Sequence, residues 1–395
     1  MSLRRAHDAA LQHSRFAAWN AVRSFGSPAS TLTTVFGPFA RKVMNLSALT
    51  AAGQASFVLA LPFLSRLYTP TDFGLFTIYL SIVNLGGPIV GLKFESALYA
   101  ARNKQEAAAT LALSLLTTLI TSSTTAVALF FFGDQLVARF GPLARPMIWM
   151  LPLGLLLSGL YSVSSAWAIK SEAVSTLAAA RFGQPAAMTS LQLAAALIQP
   201  AGGIAMIGAH LLSHLGYTSF IFGKTLTRSD LRTLRLTLWR SLLQHAKAQR
   251  HFPLFLLPAQ VSYLAVSNLP PLLLSSLYGA EIAGHCGVAY RLVAAPLAIA
   301  SLPLGAIFTG VASRSRDLAV VMPLARKVFL ANLLLVCVPI LLFGAAAPAI
   351  APAVMGDRWV ITGQIIAAFA LLGAAHSLAA PFTEITSIFR SQALR

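Results

Sequence analysis

Stretches of about twenty mostly apolar residues recur along this chain, each long enough to cross a hydrocarbon layer as a helix. They fall at 43–64, 73–92, 107–132, 148–168, 185–203, 205–222, 254–277, 287–309, 328–347 and 360–382. The chain has 395 residues, of which 57% are hydrophobic and 10% charged. That is too little charge for the surface of a water-soluble domain of this size. In lipid every backbone amide needs a partner inside the protein, which leaves helices or closed barrels. The period-two pattern of barrel strands is absent. The predicted class is an all-α polytopic membrane protein of about ten transmembrane helices.

The charges between these stretches alternate by side. With the N-terminus in the cytoplasm, one side receives Arg4, Arg5, Arg15, Arg23, Arg41 and Lys42, then Lys93, Arg102 and Lys104. Lys170, Arg181 and the group Lys224, Arg228, Arg232, Arg235, Arg240, Lys247 and Arg250 follow on that side, with Arg314, Arg316, Arg326, Lys327, Arg390 and Arg395. The other side receives only Arg66, Arg139, Arg145 and Arg358. This is the positive-inside asymmetry, and it predicts a multi-pass membrane protein with a cytoplasmic N-terminus. The net charge of +18 is then the attraction of loops to an anionic leaflet, and no nucleic acid is implied. Cys286 and Cys337 fit no disulfide framework or metal spacing and read as small apolar packing. Trp149 and Trp167 bracket one apolar stretch and read as interfacial anchors.

Four regions are expected. Residues 1–42 form a basic extension with interleaved aromatics, read as surface-lying or partly disordered. Residues 43–222 form a lobe of six spans, 223–252 a basic amphipathic linker on the cytoplasmic surface, and 253–395 a lobe of four spans. The two lobes follow from a repeat. Residues 61–74, LPFLSRLYTPTDFG, align with 271–284, PLLLSSLYGAEIAG, matching Leu64/Leu274, Ser65/Ser275, Leu67/Leu277, Tyr68/Tyr278 and Gly74/Gly284. Parallel repeats of this kind mark secondary transporters, with the substrate between them. At this offset the second lobe stops about two spans short of the first, so an incomplete lobe or a fragment is expected.

The run LPFLSRLYTPTDFGLFTIYLSIVNLGGPIVGLKFESALY at 61–99, with ARFGQ at 180–184, HFP at 251–253, SNLP at 267–270, VAYRLVAAP at 288–296 and MGDRW at 355–359, resembles the Wzx-type O-antigen and polysaccharide flippases. These are the polysaccharide transporter family of the multidrug/oligosaccharidyl-lipid/polysaccharide (MOP) exporter superfamily, and the resemblance runs from about residue 43 to the end. It implies two helical bundles around a cavity, as in the multidrug and toxin extrusion (MATE) proteins. It also implies outward flipping of a polyprenyl-pyrophosphate-linked oligosaccharide by alternating access, for O-antigen, capsule or exopolysaccharide synthesis. A polymerase and a chain-length regulator are implied partners, beside membrane lipids. Family members carry twelve to fourteen helices, more than the ten counted here.

Seven residues are candidates for substrate contact. Arg291 lies within a span, where an unpaired charge is costly and usually faces a cavity or a partner; the alternative is snorkelling to the nearby outer interface. Lys93 and Glu95 close the second span as charges at a cavity mouth. Two apart on a helix they would not share a face, so they need not pair with each other; ordinary positive-inside anchoring is the alternative. Arg181, Gln184 and Gln192 form one stripe along the fifth span, suited to phosphate and sugar hydroxyls or to interhelical bonding. Asn268, with Pro270, marks a possible broken helix near the cavity. His210 and His214 share a face, as a proton relay or, preferred here, as structural polar contacts. Gln54, Asn84, Gln199 and Gln260 are further polar positions.

No enzyme constellation emerges: paired carboxylates, an Asp-x-Asp motif, a phosphate-binding loop and a Ser/His/Asp set are all missing. No cofactor or metal is expected. The competing readings are a drug or metabolite antiporter, for which carboxylates inside the bundle would be expected, and a membrane polysaccharide polymerase or ligase, for which a large external loop would be expected. An inactive fragment is the fourth.

Overall fold

The computed structural model describes residues 28–140, 145–198, 202–236, 239–297 and 318–382, with 301, 304, 305, 308 and 312 between the last two stretches; for 28–47 the helix alone is described. Most of the basic extension, Gln199, Arg314, Arg316, Arg390 and Arg395 lie outside the described residues or their side chains. The described residues form helices and turns, with no strand among them.

The helices are α1 (Pro28–Leu67), α2 (Pro70–Val90), α3 (Lys104–Phe140), α4 (Arg145–Lys170), α5 (Val174–Ile198), α6 (Gly203–Thr225), the short α7 (Arg228–Leu236) and α8 (Trp239–Ala248), then α9 (Leu257–Tyr278), α10 (Ala280–Pro296), α11 (Leu318–Asn332), α12 (Val338–Met355) and α13 (Val360–Ala379). Among the described residues eight helical segments are long and apolar enough to cross a membrane. The other two expected spans are also helices: α5, whose hydropathy is diluted by Arg181, Gln184 and Gln192, and α10, described over 17 residues. The exposed side chains suit lipid. Phe130, Phe131, Leu197, Ile198 and Val266 are all at least 70% exposed, which hydrocarbon tolerates and water penalises.

The chain divides into two compact units. The larger holds Ala52–Arg291 and Pro348–Ile365, so α9 and most of α10 belong with α2–α6. Within it α4 packs on α3, α6 and α2, α6 packs on α5, and α2 also packs on α9. The other unit takes in Leu292–Ala347 and α13 from Ile366. Its core is Phe308, Ala312, Val321, Leu324 and Val328, with Ser301 donating to Asn332 Oδ1 at 2.6 Å.

The ends of the larger unit sort the charges. At one end Thr69 and Asp72 form a reciprocal cap with Pro70 at the first helical position of α2, a strong helix start. Asp72 Oδ1 also accepts from the Gly203 amide at 2.7 Å, joining the start of α6. Arg66 and Arg358 lie at this end, the Arg358 guanidinium donating to the Arg66 carbonyl at 3.4 Å. At the other end Lys170 donates to the Ala101 carbonyl. Here α7 and α8 pack on α3, Leu234 joining the cluster of Leu98, Leu111 and Trp167 and Leu242 joining Phe94 and Leu113. Of the leucines of α7 and α8, Leu234 and Leu242 thus pack against the bundle, while Leu231 and Leu243 stay exposed. Trp167 corrects the anchor reading. Trp149 is exposed but Trp167 is buried, its indole donating to the Thr225 carbonyl at 3.4 Å, because α7 and α8 cover that end.

At the Pro70 end α2 and α10 touch backbone to backbone. A Cβ added to Gly74 would overlap the Ala280 carbonyl, and one added to Gly284 would overlap the Pro70 carbonyl. The 210-residue repeat offset relates Pro70 to Ala280 and Gly74 to Gly284, so each contact is the image of the other. Gly287 meets Thr77, its own counterpart at that offset. Such crossings need small residues, because no apolar driving force holds helices together in lipid.

Candidate substrate site

Arg291 lies eleven residues past Ala280, the first residue of α10. At 1.5 Å per residue that is about 16 Å down the helix, roughly half a hydrocarbon thickness. Arg291 thus lies farther from its helix start than the sequence-based span implied, since α10 begins seven residues before that span. The guanidinium carbon lies 4.8 Å from the Phe57 ring centroid and 5.0 Å from that of Phe76. Among the described residues these two rings, not a carboxylate, are its partners. Cation–π contacts offset part of the cost of a desolvated charge, and they leave the five N–H donors of the guanidinium free for an anion.

The other candidates fall into separate groups. Asn268 is buried; its side chain donates to the Leu264 carbonyl at 2.8 Å and accepts from Asn84 Nδ2 at 3.4 Å. Helix α9 runs unbroken through Pro270 and Pro271, so the broken-helix expectation is corrected. On α5, Arg181 is exposed, Gln184 Nε2 donates to Ser213 Oγ on α6 at 3.1 Å, and Gln192 is fully buried with both amide atoms unpartnered. The stripe therefore spans three environments: an exposed cation, an interhelical bond and a closed interior. Gln192 also anchors the turn between α1 and α2, its backbone carbonyl accepting from the Tyr68 hydroxyl at 2.7 Å. Gln184 follows its interhelical alternative, and Asn268 also bonds across helices, to Asn84.

Lys93 and Glu95 do pair, at 3.3 Å. They are not on one helix: α2 ends at Val90, Leu92 and Lys93 take left-handed φ of 47° and 59°, and a 3-10 turn begins at Phe94. That reversal turns both side chains to one side. Burial pushes the Glu95 carboxyl above its ordinary value; Lys93 pulls the other way and does not win. One carboxylate oxygen, Oε2, has no partner. The neutral form therefore suits the fold, and stability from this group is full below the ordinary carboxyl range and lost as pH rises through the raised value. Glu95→Gln is expected to raise the thermal midpoint of the detergent-solubilised protein at neutral and alkaline pH, with the difference closing in acid. A pH-independent difference, or a lower midpoint throughout, would mean that the Lys93 ion pair dominates.

Phe57, Phe76, Tyr79 and Tyr161 were not anticipated. In an apolar stretch an aromatic residue facing lipid and one facing a guanidinium look alike. Cys286 and Cys337 are buried free thiols, and no group of three or more His, Cys, Asp or Glu that could hold a metal occurs among the described residues.

The helical bundle of the described residues has the fold of a solved MOP-superfamily transporter. The chain is similar to the inward-facing conformation of a multidrug resistance MATE family transporter of the MOP superfamily, at TM-score 0.57 and 19% identity, over 87% of this chain and 80% of that one. A family model described as "Polysaccharide biosynthesis protein" matches residues 63–362, and the chain belongs to that family. No curated protein matches it.

Proposed function

We propose that this chain flips a polyprenyl-pyrophosphate-linked oligosaccharide across the bacterial inner membrane by alternating access, for surface polysaccharide synthesis. The observation that carries this is Arg291, a guanidinium about halfway down its helix with aromatic rings for partners. A half-buried cation whose partners among the described residues include no carboxylate suits an anion, and a pyrophosphate is the charged part of such a lipid. Arg181 and Lys93, on the same unit, would guide the headgroup from the basic end. The sugar would meet amides such as Gln184, Gln192 and Asn268 once the helices move, and Glu95 would meet the headgroup or a coupling ion at the mouth. The moving bodies would be the repeat lobes, 43–222 and 253–395, joined by 223–252. The basic end faces the cytoplasm in this reading, with the N-terminus, and a polymerase and chain-length regulator would receive the product.

An antiporter for cationic drugs fits less well. Asp72, Glu95, Glu106, Glu172, Asp230, Glu281 and Asp357 stand at or beyond helix ends, and Asp134, six residues inside the end of α3, is exposed and paired with Arg145 at 2.9 Å, so among the described residues a cation would find no unpaired carboxylate inside the bundle. A polymerase or ligase lacks support too: α3 and α4 extend until only 141–144 separate them, where a catalytic loop would be needed. The test is surface polysaccharide on bacteria lacking their own flippase, with and without this chain. Restored polysaccharide supports flipping. None, with the chain inserted and a panel of repeat units tried, sinks the reading.

A further inference from the structure

Two imidazoles lie against one another on α6. His210 and His214, one helical turn apart, hold their rings 4.3 Å centre to centre. His210 is 5% exposed, with Nδ1 3.2 Å from the Tyr79 hydroxyl. His214 meets the Tyr161 ring at 5.0 Å; its Nδ1 is buried and has no hydrogen-bond partner. Phe76 connects the pair to Arg291, its ring 6.4 Å from that of His210 and 5.0 Å from the guanidinium. A purely structural histidine would be expected to satisfy both nitrogens, since buried polar groups rarely stay unpaired.

The titratable and charged groups around the pair are few. Helix α2 presents Tyr79 and α4 presents Tyr161. Arg291 of α10 lies beyond the Phe76 ring. On α6 itself Tyr217 lies against Gly183. Among the described residues no carboxylate is in contact with the pair, and imidazole is the group that titrates between about pH 5 and 8.

We propose that His210 and His214 form one proton-binding site whose occupancy rises when an anion sits on Arg291. Two rings this close repel each other if both are charged, so the pair takes a single proton. While Arg291 has no counter-anion, its positive charge, one phenyl ring away, opposes that proton. An anion cancels the charge and the proton enters, and by linkage the proton tightens anion binding in return. The inference rests on the reading of Arg291 as an anion site. It gives the pair a role in transport: the headgroup would move with part of its charge already balanced.

The test is calorimetric titration of the full chain in detergent with undecaprenyl pyrophosphate, in buffers of different ionisation enthalpy. This reads binding and proton uptake together. Wild type is expected to take up about one proton more per bound ligand than His214→Gln or His210→Gln. Binding by wild type with the same uptake as a folded histidine variant overturns the proposal. If the variants do not fold, nuclear magnetic resonance of the wild type with 15N-histidine decides. Two buried imidazoles that titrate as a coupled pair, and gain protons when the ligand is added, support it; two that stay neutral from about pH 5 to 8 overturn it. If wild type does not bind the ligand, the Arg291 reading fails and the coupling falls with it; a coupled titration of the two imidazoles alone would then retain only the proton site.

Discussion

Arg291→Ala is expected to remove the restored surface polysaccharide almost entirely, while the protein still inserts at the wild-type level. The guanidinium would make charge-assisted hydrogen bonds to pyrophosphate, each worth about 1.5–3 kcal/mol. Losing one or two of them weakens binding by roughly ten- to a thousandfold at about 1.4 kcal/mol per decade. Removing a half-buried charge that has no carboxylate partner among the described residues relieves its desolvation while losing two ring contacts, so stability and transport should part company. The thermal midpoint in detergent should hold or rise as polysaccharide falls. Arg291→Lys should recover a fraction only, because an ammonium keeps the charge but loses the planar fork and its fit between Phe57 and Phe76. Full restoration by the alanine variant would remove Arg291 from the pathway.

Gly284→Leu is expected to force α2 and α10 apart at the Pro70 end. The first added carbon already overlaps the Pro70 carbonyl and lies 2.8 Å from the Gly74 amide nitrogen. Backbone cannot rotate aside as a side chain can, so the helices must separate or the variant must fail to fold; overpacking typically costs 1–3 kcal/mol. A native reporter lies two residues away. Cys286 is 3% exposed and should become reactive to maleimide in the variant, while Cys337, in the other unit, should stay as protected as in wild type. Equal protection of Cys286 in both proteins would show that the crossing adapts. Gly208 and Gly216, where an added Cβ meets nothing within 4 Å, should accept alanine without exposing either thiol.

The spans were legible because lipid imposes a length and a composition on each helix, and both are local properties of the chain. So was the sorting of basic residues in the larger unit, whose two ends carry Lys93, Lys104 and Lys170 against Arg66 and Arg358. The repeat reappears in the paired contacts of Gly74 and Gly284, because residues at equivalent positions of two similar units meet in equivalent ways.

What needed the tertiary structure was which polar side chain faces what. Gln184 and Gln192 lie eight residues apart, near enough in helical phase to share a face, yet one bonds α6 and the other is sealed. Trp149 and Trp167 look alike as span ends until α7 and α8 cover one of them. Lys93 and Glu95 were read apart on a helix that in fact stops at Val90. The chain alone thus determined that it is a helical membrane protein with sided charges and an internal repeat, since hydropathy, charge and repetition are written along the sequence. Only the packed bundle decided that Arg291 ends against two phenyl rings, one of which also meets a histidine pair. Those neighbours come from α1, α2 and α6, tens to hundreds of residues away, and one apolar stretch does not encode which face of another it will meet.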